Sequence, residues 1–254
     1  MSLLKYGDFD KLGLSVSGLK FKNGVTAKYP IELNSYTIKE LSIDIQIPKI
    51  ELKKTTEEWG LYLRSISLFE SFEGLLNIFK PNNEIYFTSI AWDYSGNNAI
   101  IYPPSGIDLS TLLIKMKKGN KRKFIGNGIQ LWPSQTVVGA LNIIILVFEC
   151  DKNAAKLGER FSEISDAIRK CPLSDLIKSI GINPLAAQVG AISTAVSEMV
   201  GVIGKIIRSN GDDYVDLFEG SYSTERAQTS KVRKYNHESA GIELEFYVNN
   251  IKQS

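Results

Sequence analysis

Four aspartates stand where a chain could assemble a divalent-cation site. Asp93 follows the apolar run EIYFTSIAW, Asp151 follows LNIIILVFEC, and Asp212 and Asp213 follow a long helical pattern. Carboxylates on loops leaving strand ends can converge on one end of a sandwich, where calcium takes six to eight hard oxygen ligands. Asp8 and Asp10 add a further acidic pair near the start. Asp93, Asp151, Asp212 and Asp213 are therefore the candidate calcium ligands. The competing reading is that they cap turns, because a short carboxylate readily accepts from nearby backbone N–H groups.

A second cluster is cationic. Lys115, Lys117, Lys118, Lys121, Arg122 and Lys123 crowd the segment KMKKGNKRK. Charges this dense suit an anionic lipid surface or another polyanion. The same lysines would also keep an edge strand from pairing with a foreign sheet. No aromatic residue interleaves with them, so the stacking platform of a single-strand nucleic-acid binder is missing. Specific nucleic-acid recognition is not expected.

Nucleophilic and acid–base chemistry finds little support. His237 is the one histidine, in the polar context YNHES. The chain has no Gly-x-Ser-x-Gly elbow, no His-Glu-x-x-His and no phosphate-cradling glycine loop to give it a partner. Glu57 with Glu58 and Glu70 with Glu73 are carboxylate pairs of the kind common on wet faces. Cys150 and Cys171 have neither a second cysteine nor a histidine at metal-ligand spacing and read as reduced thiols. No enzyme class is indicated.

The elements that must position these residues follow from hydrophobic period. Residues 11–33 carry two short strand patterns around Asn23-Gly24, and Thr37 to Lys53 alternates as a half-buried strand. Leu61 to Phe72 and Glu84 to Asp93 are strand-like, the second rich in β-branched and aromatic residues. Asn98 to Tyr102 forms a small strand. Leu112–Met116 and Phe124–Leu131 form a hairpin across Gly119-Asn120, and Trp132-Pro133 and a short polar link then precede Val137–Cys150. The run LNIIILVFE lacks polar alternation, so it belongs at a sheet centre with both faces covered.

The period then changes to 3.6. Ala154, Leu157, Phe161, Ile164 and Ile168 share one helical face, and Pro172 opens a short second helix. In Pro184–Asn210 the residues Leu185, Val189, Ile192, Val196, Met199, Ile203 and Ile206 draw a single apolar stripe. Small residues flank it, which would let another backbone approach closely. The stripe reads as a core helix packed on the sheet. It also offers a route to self-association or to a protein partner through residues 184–210. A membrane span is disfavoured because Glu198 falls at its middle. After the helices, Tyr214–Tyr222 and Ile242–Val248 return to strands.

Acidic residues at strand-end loops of such a sandwich resemble C2 domains, in the style of residues 37–150. The middle loops carry one aspartate each where C2 loops carry Asp-x-Asp pairs. The resemblance implies a C2-like sandwich and calcium- or charge-dependent contact with a membrane surface.

The chain of 254 residues has 30 basic and 28 acidic side chains and is 43% hydrophobic, so charge alone selects no partner class. No basic segment followed by an apolar one opens the sequence, and a cytoplasmic location is expected. The expected architecture is α+β: one domain spanning 1–254, mainly an antiparallel β-sandwich (11–150 and 212–250), with a block of three helices (153–210) before the last strands. The expected role is a non-enzymatic binding or interaction module. The alternative is a membrane-active protein, through calcium- or charge-dependent lipid binding or insertion of the helical block.

Overall fold

A computed structural model describes residues 51–71, 83–104, 112–150, 157–184, 186–210 and 212–250. The strands expected within 11–33 and 37–50 and the aspartates at 8, 10 and 151 lie outside the described residues.

Among the described residues ten strands form two antiparallel sheets of five. In the first, β1 (Glu57–Leu68) and β10 (Ala240–Asn250) are central, with β9 (Lys231–Asn236) outside β10. The other edge of β1 is shared end to end by β5 (Lys121–Lys123), against Ser65–Ser67, and β6 (Ile129–Gln135), against Trp59–Leu63. In the second, β7 (Ala140–Glu149) lies between β2 (Asn83–Trp92) and β8 (Asp213–Ser223). β3 (Ile100–Tyr102) and β4 (Ile114–Met116) pair with the far edge of β2. The three helices α1 (Leu157–Lys170), α2 (Leu173–Ile182) and α3 (Ala186–Asn210) connect β7 to β8. The fold is an α+β sandwich with a helical block before its final strands.

β7 explains the layering. Every residue of ALNIIILVFE is buried. Leu141, Ile143, Ile145 and Val147 face Leu61, Leu63, Ile66, Ile242 and Phe246 of the first sheet. Ile144, Leu146 and Phe148 face the helices. A strand covered on both sides cannot alternate apolar with polar residues, which is why this run is continuous. The α3 stripe fills the second layer: Val189, Ile192, Val196, Met199 and Ile203 are buried with Phe161, Ile164 and Ile168 of α1 and Ile177 of α2. Burying such side chains contributes about 1.5–3 kcal/mol each before entropic costs. Gly190, Thr194, Glu198, Val202 and Lys205 mark the solvent side.

Three local expectations are corrected. Leu112–Met116 and Phe124–Leu131 do not form a hairpin, because β4 joins β2 in the second sheet while β5 joins β1 in the first. The basic turn between them is a crossover from sheet to sheet. The return strand does not stop at Leu131, because Trp132-Pro133 and the start of the polar link lie inside edge strand β6. The register shifts between Trp59 and Leu61, opposite this stretch, where a residue without an N–H is tolerated. Finally, β9 lies between the two strands expected after the helices, so among the described residues three strands and not two follow them.

Candidate functional site

The antiparallel order decides which aspartates meet. Trp92 pairs with Asn142, and Ile85 with Glu149, so Asp93 leaves β2 at the end where β7 begins. Asp213 pairs with Glu149 at the opposite end. Seven residue steps of strand, about 23 Å at roughly 3.3 Å each, separate the two ends. Asp93 is therefore not brought together with Asp212 and Asp213, and the gathering of these residues at one end of the sandwich is corrected. The reason is directional: the polypeptide leaves β2 at one end and enters β8 at the other.

Asp93 and Asp212 also have work within the fold. Asp93 is 2% exposed. Its Oδ1 accepts from the Ser95 N–H at 3.1 Å and the Ser95 hydroxyl at 2.6 Å, and its Oδ2 from the Val138 N–H at 2.9 Å. It thus ties the turn after β2 to the entry of β7. Asp212 is 5% exposed and accepts from the Tyr86 hydroxyl at 2.7 Å. Tyr86 itself packs against Phe148 and Phe161, so this bond anchors the start of β8 to the sheet–helix core. Asp213 is half-buried as the first residue of β8. Among the described residues, no group of three or more His, Cys, Asp or Glu side chains is placed to hold a metal ion. No disulfide joins Cys150 and Cys171, and burial pushes the Cys171 thiol up.

The cationic segment is a continuous strip. Lys117, Lys118, Lys121, Arg122 and Lys123 are all exposed. Gly119 N–H donates to Leu68 O at 2.7 Å and Leu68 N–H to Asn120 O at 3.0 Å, pinning the turn to the end of β1. Gly119 takes φ +81°, with open space around it. Two of the six cations have acidic partners: Lys115 lies 3.4 Å from Glu84, and Lys121 pairs with Glu243. The Lys121 bond, with Ser65 and Lys234 assisting, holds the Glu243 carboxyl down at about 2. Lys117, Lys118, Arg122 and Lys123 form no ion pair among the described residues. Beyond β5 the loop 124–128 turns outward. Phe124 N–H bonds to Arg64 O, and the Arg64 guanidinium reaches Gly126 O. Within it Ile125 is 96% exposed.

His237, expected to stand without a partner, has one. Its Nδ1 lies 2.6 Å from Asp216 Oδ1. The Asp216 side chain is only 3% exposed, whereas that of His237 is 61% exposed. Asp216 Oδ1 also accepts from the Leu217 N–H, and Oδ2 from the Ala240 N–H, both at 3.0 Å. Burial raises the Asp216 carboxyl, while the charge and hydrogen bond of His237 and the two backbone N–H groups pull against that rise. The carboxylate therefore staples the β9–β10 turn of the first sheet to edge strand β8 of the second. Residues 21 apart and on different sheets leave no spacing signal, so sequence reasoning missed the pair. Near it, Arg233 lies over Tyr222 at 4.9 Å and over Phe246 at 5.4 Å, closing the same lateral seam.

No family model and no curated protein matches the chain. Among solved structures, human GIVD cytosolic phospholipase A2, in complex with methyl gamma-linolenyl fluorophosphonate and terbium chloride, aligns at a TM-score of 0.33 and 6% identity over 80% of this chain. The alignment covers 18% of the phospholipase chain, so this chain spans less than a fifth of that protein. A Drosophila C2-DSL-EGF1 structure aligns at a TM-score of 0.31 and 10% identity, covering 76% of this chain and 67% of that one. Likenesses of this strength define neither a family nor a function for the chain.

Proposed function

We propose that the chain is a non-enzymatic binding module on a C2-like sandwich, and that the basic crossover Lys117–Lys123 is its contact surface for an anionic partner. One observation carries the reading: Lys117, Lys118, Arg122 and Lys123 all stand exposed within seven residues of chain, with no ion-pair partner among the described residues. Like charges held this close repel, and an anionic partner relieves that repulsion while the field speeds its approach. Packing does not account for the segment, since all three residues of β5 are exposed. Enzymatic readings fare worse. The Asp216 carboxylate is engaged by two backbone N–H groups that hold a turn, an arrangement that serves the fold.

Insertion of the helical block into a membrane draws less support. The segment Gln188–Ile207 is long and apolar enough to cross a bilayer by length and composition. Its stripe, however, fills the layer against β7, and insertion would strip that layer bare.

The test is retention on immobilised heparin. The wild-type chain is expected to bind at low salt and elute as ionic strength rises, because exposed charge pairs are screened beyond roughly 10 Å at 0.1 M salt. A Lys117→Glu, Lys118→Glu, Lys123→Glu variant should elute much earlier, with an unchanged melting temperature. Wild type passing straight through, or a variant eluting with wild type, would remove the basis of the proposal.

A further inference from the structure

We infer that the free edge of β9 is a second contact surface, which takes up an extended acidic peptide as one more strand of the first sheet. This surface is separate from the basic crossover, which lies at the opposite edge of that sheet.

The sheet edges differ in what they offer. Among the described residues, β5 with β6 and β3 with β4 divide their edges between two strands each. β8 shifts register between Val147 and Phe148, and Asp216 Oδ1 takes up its Leu217 N–H. β9 is continuous and in register over Lys231–Asn236. The bond from His237 N–H to Ala240 O sets the phase of its ladder. Tyr235 with Ile242, Arg233 with Leu244 and Lys231 with Phe246 are then the hydrogen-bonded pairs. Val232, Lys234 and Asn236 turn their N–H and C=O groups away from β10, where among the described residues they meet no backbone partner. All three residues are exposed. A row of donors and acceptors repeating every 7 Å or so, about two strand residues, matches an extended polypeptide.

β9 is held ready for a partner. Ser230 Oγ donates to Val248 O at 3.3 Å and accepts from Val248 N–H at 2.8 Å, fixing the strand's start. Arg233 Nη2 donates to Gln228 Oε1 at 2.7 Å, and the Tyr235 and Tyr222 hydroxyls meet at 3.2 Å. The His237–Asp216 bond fixes the end. Little ordering is lost when a strand joins an edge already fixed. Charge then selects the occupant. KVRKYN holds three cations and no acid. Lys234 lies 3.5 Å from Glu243 with its side chain still 73% exposed, and Lys231 forms no ion pair among the described residues. A second copy paired edge to edge would set these cations against their own images, and like charges on facing strands destabilise a sheet. A nucleic acid would answer the charge but not the row of backbone groups. An acidic peptide satisfies both. Antiparallel pairing puts an acid beside Lys234 and, two residues later, an aliphatic side chain beside Val232, on the face shared with the exposed Tyr247. The residues following each of these lie beside Arg233 and Lys231 and are acidic for the same reason.

Fluorescence anisotropy tests this with the full chain and the labelled peptide Thr-Thr-Glu-Glu-Val-Glu-Thr-Thr. The peptide is expected to bind, and its counterpart with lysine in place of glutamate is not. Methylating the backbone nitrogens of the first glutamate and the valine, which face β9 in this register, should weaken binding roughly tenfold, since each main-chain bond contributes a factor of several. Methylating the other two glutamates, whose N–H groups face away, should leave binding unchanged. Lys231→Gln with Lys234→Gln should weaken it about tenfold at an unchanged melting temperature. Lys117→Glu with Lys118→Glu should bind as wild type does. No binding, or binding indifferent to methylation at the β9-facing positions, would overturn the inference and leave the basic crossover untouched. Loss in the crossover variant alone would overturn it by moving the peptide to the crossover. Self-association of the chain that the peptide reverses would also overturn it, placing a second copy on this edge.

Discussion

Replacing Asp216 with alanine isolates what the inter-sheet staple contributes. Three donors lose their acceptor at once: Ala240 N–H, Leu217 N–H and His237 Nδ1. Ala240 is fully buried, so its orphaned N–H costs about 1–3 kcal/mol. Leu217 is half-buried on an edge strand, and water recovers part of its bond, leaving roughly 0.5–1 kcal/mol. Removing a buried carboxylate returns some desolvation free energy, so the net loss should be about 2–3 kcal/mol. His237→Ala should cost about 1 kcal/mol or less, because the imidazole is mostly in water and the backbone donors still hold Asp216. Urea unfolding followed by tryptophan fluorescence suits the measurement, since Trp59, Trp92 and Trp132 are all buried. The pH dependence has a definite sign. Burial raises the Asp216 carboxyl above its ordinary 3.8, so the native state holds that proton more tightly than the unfolded chain. This group's contribution therefore falls as pH rises from 3.8. The cost of Asp216→Ala should shrink between there and neutrality. An Asp216→Ala variant within about 0.5 kcal/mol of wild type, or one matched by His237→Ala, would refute the staple.

Other perturbations separate core, electrostatics and backbone. Ile145→Asp and Val196→Asp each bury an unpaired charge, one between the sheets and one beneath α3, at a cost comparable to the whole stability of a domain. Neither should yield soluble protein, which the soluble fraction after expression will show. Glu243 is held at about 2, below its ordinary 4.5, chiefly by the Lys121 hydrogen bond. The stability it contributes is present above about pH 4.5 and lost as pH falls towards 2, so Glu243→Gln should flatten that part of a melting-temperature profile. Gly126 and Gly128 both adopt positive φ, but only at Gly128 would a Cβ fall 2.4 Å from Leu63 O. Gly126→Ala should cost about 1 kcal/mol and Gly128→Ala at least about 3 kcal/mol by urea unfolding.

What the sequence revealed follows from how locally each feature is encoded. LNIIILVFE announces burial on both faces, because every residue of the strand carries the signal. The α3 stripe is just as plain, since one face of a helix repeats its message every turn. Sheet partnership is not local. Lys115 and Arg122 flank a tight turn that reads as a hairpin, yet each strand finds its neighbour in a different sheet. β9 escapes notice because its inward residues are Arg233 and Tyr235, so KVRKYN shows no apolar alternation. The aspartates were visible as residues but not as a set, since convergence depends on which strand end each one leaves. Ile125 is a single aliphatic residue in a polar, glycine-rich loop, and only its exposure distinguishes it.

β10 lies between β1 and β9, and this order sets a timetable for the nascent polypeptide. Once residue 223 has been synthesised, β2, β7, β8 and the helices have all their mutual partners, and the second sheet can close on its helical cover. Its opposite face, with Ile143, Ile145 and Phe218, then has no complete sheet to rest on. β1 has only β5 and β6 beside it, and β9 has no partner, until Ala240–Asn250 arrives. The final strand is thus the wedge that completes the first sheet, and a ribosome stalled after β9 would present an oily surface to the cell. Quality control acting on this chain would find its substrate in that interval.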